Sequence, residues 1–272
     1  MGIGNAIILG IVQGLTEFLP VSSSGHLVLG KALLGIPEQG IAFEVFVHFG
    51  TLLAVVTVFR KDIVNLFRAF FSLFQKSTYS QGFSKKYASD ADLRLLIFIC
   101  LATIPAVIVG LLFEDYIETA FSSPHFVGIT LIITAVILSA TFFKPKAEKP
   151  MNLLNTFIMG VAQAFAIMPG ISRSGSTISF GLFQKVSGND AARFSFLLAV
   201  PAILGAVVLK TSELIKTGIS GDFLLVLLVG TIASYISGYI AIETLLSIVR
   251  RGKLYLFAPY CLIIGILALV LL

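Results

Sequence analysis

The stretch Gln13 to His26, QGLTEFLPVSSSGH, gathers an amide, a carboxylate, three consecutive hydroxyls, a glycine and an imidazole. Gln13 and Glu17 are spaced i, i+4 and share a helix face. Glu17 can bind a metal ion, act as a base, or be a buried carboxylate hydrogen-bonded to serines for structure alone. Ser22, Ser23 and Ser24 supply hydroxyls at a helix start, where unpaired N–H groups attract anions and phosphates; one of the three is expected to cap the helix. A nucleophilic serine needs a base within reach, and His26 is close enough in sequence to be one. A second stretch, Gln163 to Thr177 (QAFAIMPGISRSGST), adds Arg173. Arginine stays charged, and its hairpin contains no acid, so it needs either Glu17 or a bound phosphate as its anion. Ser172, Ser174, Ser176 and Thr177 surround it with donors, and Gly170 and Gly175 allow close backbone approach. Together the two stretches read as a phosphate cradle, in which positioning and charge neutralisation, aided by a divalent cation, carry phosphoryl transfer.

These polar groups sit in a very apolar chain. Of its 272 residues 57% are hydrophobic and 12% charged, and the mean hydropathy is +1.00. A soluble domain carries about 25% charged residues. Long apolar runs without β alternation predict an all-α polytopic membrane protein, a single membrane domain over residues 1–272. About six full spans are expected, at 41–59, 95–113, 126–143, 191–210, 222–246 and 254–272. Two shorter pieces cannot cross a core of about 30 Å. Residues 5–35 are broken by Pro20 and the serines and end at Gly35, Pro37 and Gly40; residues 152–187 are broken by Pro169-Gly170. Each reads as a re-entrant helical hairpin. Residues 60–94 read as a basic loop whose first half, Ile63 to Phe74, has the spacing of an interfacial amphipathic helix. Glu44 and His48, again i, i+4, read as support for the site, and Glu243 as reaching the interface.

A shift of 150 residues lays Gly10-Ile11-Val12-Gln13 on Gly160-Val161-Ala162-Gln163, and Ser22-Ser23-Ser24-Gly25 on Ser172-Arg173-Ser174-Gly175. The repeats run over about 1–143 and 152–272. The loops at 60–94, 144–150, 185–193 and 250–253 hold 15 of the 19 Lys and Arg. The positive-inside rule then puts them in the cytoplasm and both termini outside. The hairpins enter from opposite faces, so the repeat is inverted, and a site is expected at its interface. Basic residues confined to short loops argue against nucleic-acid binding. Cys100 and Cys261 lie in apolar runs, which argues against a disulfide. The first basic residue is Lys31, so no signal-peptide n-region is expected.

At these residues the chain resembles the undecaprenyl pyrophosphate phosphatase family, the integral-membrane bacitracin-resistance proteins of bacteria. The family pattern (E/Q)xxxE followed by PVSSxGH stands here as Gln13 to His26, and PGxSRSGxT as Pro169 to Thr177. Phe43-Glu44 and the run Phe194 to Pro201 match as well. The resemblance implies hydrolysis of a C55 isoprenyl diphosphate to the monophosphate carrier lipid of cell-wall synthesis. It also implies an inner-membrane site opening to the periplasmic side and dependence on Mg2+ or Ca2+. It would make Glu17, Ser23, His26 and Arg173 catalytic, with Glu17 also the metal ligand. Gln13, Ser22, Ser24, Ser172, Ser174, Gly175 and Thr177 would bind substrate. A homodimer is compatible with this reading. Many members carry Glu where this chain has Gln13, so a second anionic metal ligand is missing. The competing reading is an inverted-repeat transporter or flippase of a lipid phosphate or another anionic solute.

Overall fold

A computed structural model describes residues 2–34, 42–75, 82–147, 149–217 and 221–272. The described residues form helices and no strands. In chain order they are α1 (Ile3–Phe18), α2 (Ser23–Leu34), α3 (Ala42–Val58), α4 (Arg60–Ser72), α5 (Phe83–Ser89), α6 (Ala91–Leu112) and α7 (Glu114–Phe121). There follow α8 (Pro124–Ala140), α9 (Leu153–Phe165), α10 (Arg173–Phe183), α11 (Gly188–Thr217), α12 (Gly221–Arg250) and α13 (Ala258–Leu271). Among the described residues four stretches are long and apolar enough to cross a membrane: Ala91–Leu112, Pro124–Phe143, Phe223–Arg250 and Leu254–Leu271. A fifth is counted if α3 and α4 are taken as one bent pair. The chain is therefore a multi-pass membrane protein. The span expected at 191–210 falls inside α11, part of whose side chains lie outside the described residues, as do Gly35, Pro37 and Gly40.

Both short pieces are broken where expected. The residue before a proline avoids the helical region, and Leu19 ahead of Pro20 is extended, with φ −61° and ψ 145°. Ser22 turns the chain with φ 71°, and α2 restarts at Ser23. In the second piece Gly170 takes φ 90°, and Ser172 caps α10 by accepting from Gly175 N–H at 3.0 Å. At 1.5 Å per residue α1 is about 24 Å long and α9 about 20 Å, both short of the hydrocarbon core.

Each hairpin packs on a long helix of the other half of the chain: α1 on α12, and α9 on α6. Small residues allow the approach, as is common where helices pack in membranes. A side chain at Gly14 would meet Ser237 and the Ser234 carbonyl, and one at Gly160 would meet the backbone of Ala102. Helix α3 lies along α12, where Ser234 Oγ donates to the Val47 carbonyl at 2.6 Å. The main core gathers around Phe18, Phe59 and Phe196, whose rings stand 5.7 Å apart in two pairs.

Two segments differ from expectation. In the segment read as a basic loop, the helix expected over Ile63 to Phe74 forms as α4, into which α3 turns through 86°, and the described residues from 82 on add α5 ahead of α6. Helix α6 starts before residue 95 because Asp90 caps it, accepting from Asp92 and Leu93 N–H. The acidic segment after α6 folds as the short helix α7.

Candidate active site

The tips of the two hairpins meet, and Glu17 is where they join. It is the last residue but one of α1, and Ser23 and Arg173 are the first residues of α2 and α10. Glu17 Oε2 accepts from Ser23 Oγ at 2.6 Å and from Gln13 Nε2 at 3.0 Å. Glu17 Oε1 accepts from Arg173 Nη2 at 2.6 Å, a pair 156 residues apart in sequence. Arg173 Nη1 also donates to the Ser195 carbonyl at 3.3 Å. The side chains of Glu17 and Arg173 are 8% and 15% exposed, so the pair is largely shielded from solvent. Helices α2 and α10 both begin here, and their first-turn N–H groups give the site positive ends.

A cavity of about 290 Å³ opens at this junction. Its polar side is Thr16, Glu17, Ser22, Ser23, Ser24, His48, Ser172 and Arg173. Its apolar side is Phe121, Ala166, Ile167, Ile171, Ala202 and Ile203.

The remaining expected residues divide into two groups. Ser22 Oγ accepts from Gly25 N–H at 3.3 Å and from Gly170 N–H at 3.1 Å, tying the two loops together. Ser174 Oγ donates to the Leu19 carbonyl across the same seam at 3.3 Å. Thr177 Oγ1 pairs with Ser195 Oγ at 2.5 Å, and Gly175 abuts Pro20. Ser174, Gly175 and Thr177 therefore lie behind the cavity wall, holding the loops, while Ser22, Ser23, Ser24 and Ser172 line it.

Both imidazoles are fixed through Nδ1 to a backbone carbonyl. His26 Nδ1 bonds the Ser22 carbonyl and Nε2 bonds the Tyr260 hydroxyl, both at 2.8 Å. A carbonyl only accepts, so Nδ1 carries the proton and Nε2 accepts from Tyr260. Both ring nitrogens are engaged away from Ser23. His48 Nδ1 likewise donates to the Glu44 carbonyl at 2.7 Å, and its Nε2 faces Glu17 Oε2 across 3.9 Å. His48 lines the cavity with its side chain 30% exposed. Sequence spacing showed only that His48 shares a helix face with Glu44. Two further residues carried no signal of their own. Thr134 Oγ1 on α8 donates to the Gly170 carbonyl at 2.8 Å and accepts from Ser172 N–H at 3.0 Å. Thr130 Oγ1 donates to the Pro169 carbonyl at 2.5 Å. They clamp the second loop.

Among the described residues no three or more His, Cys, Asp or Glu side chains group together as a metal cage. The donor set has a single carboxylate on an open cavity. That fits Mg2+, which is commonly bound through one or two carboxylates plus substrate phosphates and keeps several waters.

The model of the bacitracin resistance protein BacA family matches residues 6–267. The chain belongs to the BacA family. Relatives named undecaprenyl-diphosphatase include one from Salinibacter ruber, 44% identical over 98% of both chains. Another, from Korarchaeum cryptofilum, is 43% identical over the full length of both. A third, from Desulforapulum autotrophicum, is 41% identical over 99% of this chain and 98% of the relative. Within this BacA chain the ion pair, the serine and the cavity all lie in the matched region.

Proposed function

We propose that this chain is a membrane diphosphatase that hydrolyses undecaprenyl diphosphate to the monophosphate carrier lipid and phosphate. Family membership supports the substrate. The observation that carries the chemistry is Glu17, held at once by Ser23 and Arg173 from opposite hairpins. The head group enters the cavity and competes with Glu17 for Arg173, whose guanidinium suits phosphate oxygens as well as carboxylate. The N–H groups that open α2 and α10 take further oxygens. Ser23 Oγ, or a water it positions, attacks the terminal phosphorus. The anhydride P–O bond breaks, and the bridging oxygen leaves with the polyprenyl monophosphate. The proton of the attacking oxygen passes to Glu17 Oε2, 2.6 Å from Ser23 Oγ. With Ser23 as nucleophile, water then releases the phosphoserine. His48 Nε2, facing Glu17, takes part in the proton's onward path, and His26 holds the turn through Ser22 and Tyr260. Mg2+ or Ca2+, bound by Glu17 together with the diphosphate, would neutralise phosphoryl charge. The isoprenoid chain leaves past Phe121, Ala202 and Ile203.

The inverted repeat belongs to the same proposal. Thr16, Glu17, Val21, Ser22 and Ser23 fall on Ala166, Ile167, Ile171, Ser172 and Arg173 under the 150-residue shift. All of these except Val21 line one cavity. The packing of α1 on α12 and of α9 on α6 repeats the same exchange. Phe121 ends α7, the short helix that follows the end of α6 remote from Arg94, which supports a cavity mouth on the periplasmic side.

Phosphate release from a polyprenyl diphosphate by purified protein in detergent tests the reading. Wild type is expected to turn over, and Glu17→Ala and Arg173→Ala to lose activity. A phosphorylated Ser23 would establish the covalent route; near-normal turnover by Ser23→Ala would eliminate it. The repeat of broken helices also favours a carrier reading, and wild-type protein that releases no phosphate with any divalent cation would select it.

A further inference from the structure

Helix α4 takes no part in the site, yet its surface is divided with unusual regularity. The 86° bend after Val58 sets α4 nearly perpendicular to α3. If α3 crosses the membrane, α4 lies along its surface. At 100° per residue the helix has three faces. The first faces the bundle: Asp62 accepts from Arg193 Nε on α11 at 2.9 Å, Ile63 and Leu66 pack on the main core, and Ala69 is buried. The second is an outward stripe of Val64, Phe67 and Phe71, continued by Phe74 just past the helix end, with the three phenylalanines 60%, 61% and 71% exposed. Beside it the third face carries Lys61 and Arg68, both exposed, with exposed Arg60 at the helix start.

Water does not suit these exposed apolar side chains, and hydrocarbon does not suit Lys61 and Arg68. The boundary between headgroups and acyl chains suits both. The charges are also one-sided. Asp62, the only acid of α4, is turned inward and neutralised by Arg193, so every outward charge on the helix is positive. On the neighbouring α5, Phe83 and Lys85 are exposed and repeat the pairing of ring and ammonium. The acid Asp90 is spent on capping α6, and Asp92 follows it in the first turn.

We propose that α4 is a docking surface for anionic phospholipid, with Phe67, Phe71 and Phe74 among the acyl chains and Lys61 and Arg68 on the lipid phosphates. The surface makes the protein select anionic over zwitterionic lipid, independently of any activity at Glu17. The complementarity of charge, the inward pinning by Asp62 and the bend at the end of α3 each point the same way.

The test is native mass spectrometry of the full-length protein in detergent, titrated with phosphatidylglycerol or phosphatidylcholine. Wild type is expected to retain phosphatidylglycerol about tenfold more strongly, given the attraction of basic residues to anionic headgroups. K61Q/R68Q should bring the two lipids to near equality. F67S/F71S should weaken both lipids and leave their ratio unchanged. Wild-type protein without the preference, or K61Q/R68Q retaining it, overturns the proposal. So does a dimer that dissociates in F67S/F71S without phosphatidylglycerol bound, which would give the surface to a second copy of the chain. Should the variants fail to fold, salt titration of wild type decides instead. Salt at about 0.5 M should erase most of an electrostatic preference, and a salt-insensitive one overturns the proposal.

Discussion

Arg173 has two claimants, Glu17 and an incoming phosphate, and only one can hold its Nη2 at 2.6 Å. Removing the internal claimant should therefore favour the external one. In the absence of divalent cation, Glu17→Gln is expected to bind inorganic pyrophosphate several-fold more tightly than wild type, as read by calorimetry, and with cation present to lose turnover, as read by phosphate release. Arg173→Lys should recover little of the activity, because an ammonium cannot offer the planar fork. A loss of about 10³ in kcat is expected from the usual worth of an arginine on a transferring phosphoryl group. His48→Ala should lower kcat by about 10²-fold, in the range of a lost proton-transfer group, and change KM little. Equal activity of His48→Ala and wild type would remove the imidazole from the proposed proton path. That Arg173 meets Glu17 was legible in sequence, because a cation among apolar residues needs an anion. The relation of the two histidines was not legible. His26 is taken by Tyr260, 234 residues away, and His48 reaches Glu17 only through the packing of α3 against α1.

At the level of elements, breaks were easier to read than bends. Pro20 and Pro169-Gly170 end α1 and α9 by removing donors and restricting the preceding residue, so both hairpins were visible before any packing was considered. The turn from α3 to α4 contains no proline or glycine. Its cause is tertiary: Phe59 packs on Phe196, and Asp62 on Arg193. Neither partner is near in sequence, and the helical character of Ile63 to Phe74 showed only as spacing. The loop clamp on α8 was hidden for a related reason, since threonines in an apolar helix commonly bond back to their own backbone. Thr134→Val should leave the Gly170 carbonyl and Ser172 N–H without their partner. A cost of about 1–3 kcal/mol follows from leaving buried groups unpaired, measurable as a lowered unfolding midpoint. Gly160→Val should cost at least as much, because its side chain would run into the Ala102 backbone of α6, which cannot rotate away as a side chain could.

Over the whole molecule, the distribution of Lys and Arg gives an orientation that labelling can check. A cysteine at Glu118 on α7 should react with an impermeant maleimide from the outer side, and one at Lys61 on α4 only after permeabilisation, in a background without Cys100 and Cys261. The all-helical membrane class was legible in composition, whereas about six spans were expected and the described residues hold four, or five with the bent pair; which helix each hairpin packs on was not legible, since that is decided by small residues meeting across the chain. Those meetings are reciprocal. Gly25 abuts Gly170, and Gly175, its counterpart, abuts Pro20, the counterpart of Gly170. A seam in which residue i touches j, and the copy of i touches the copy of j, is the self-complementary kind found between two subunits of a symmetric dimer. The covalent link between the halves is then a convenience and not a requirement. Two separately expressed polypeptides, residues 1–147 and 148–272, should find each other in the same membrane and copurify when one is tagged.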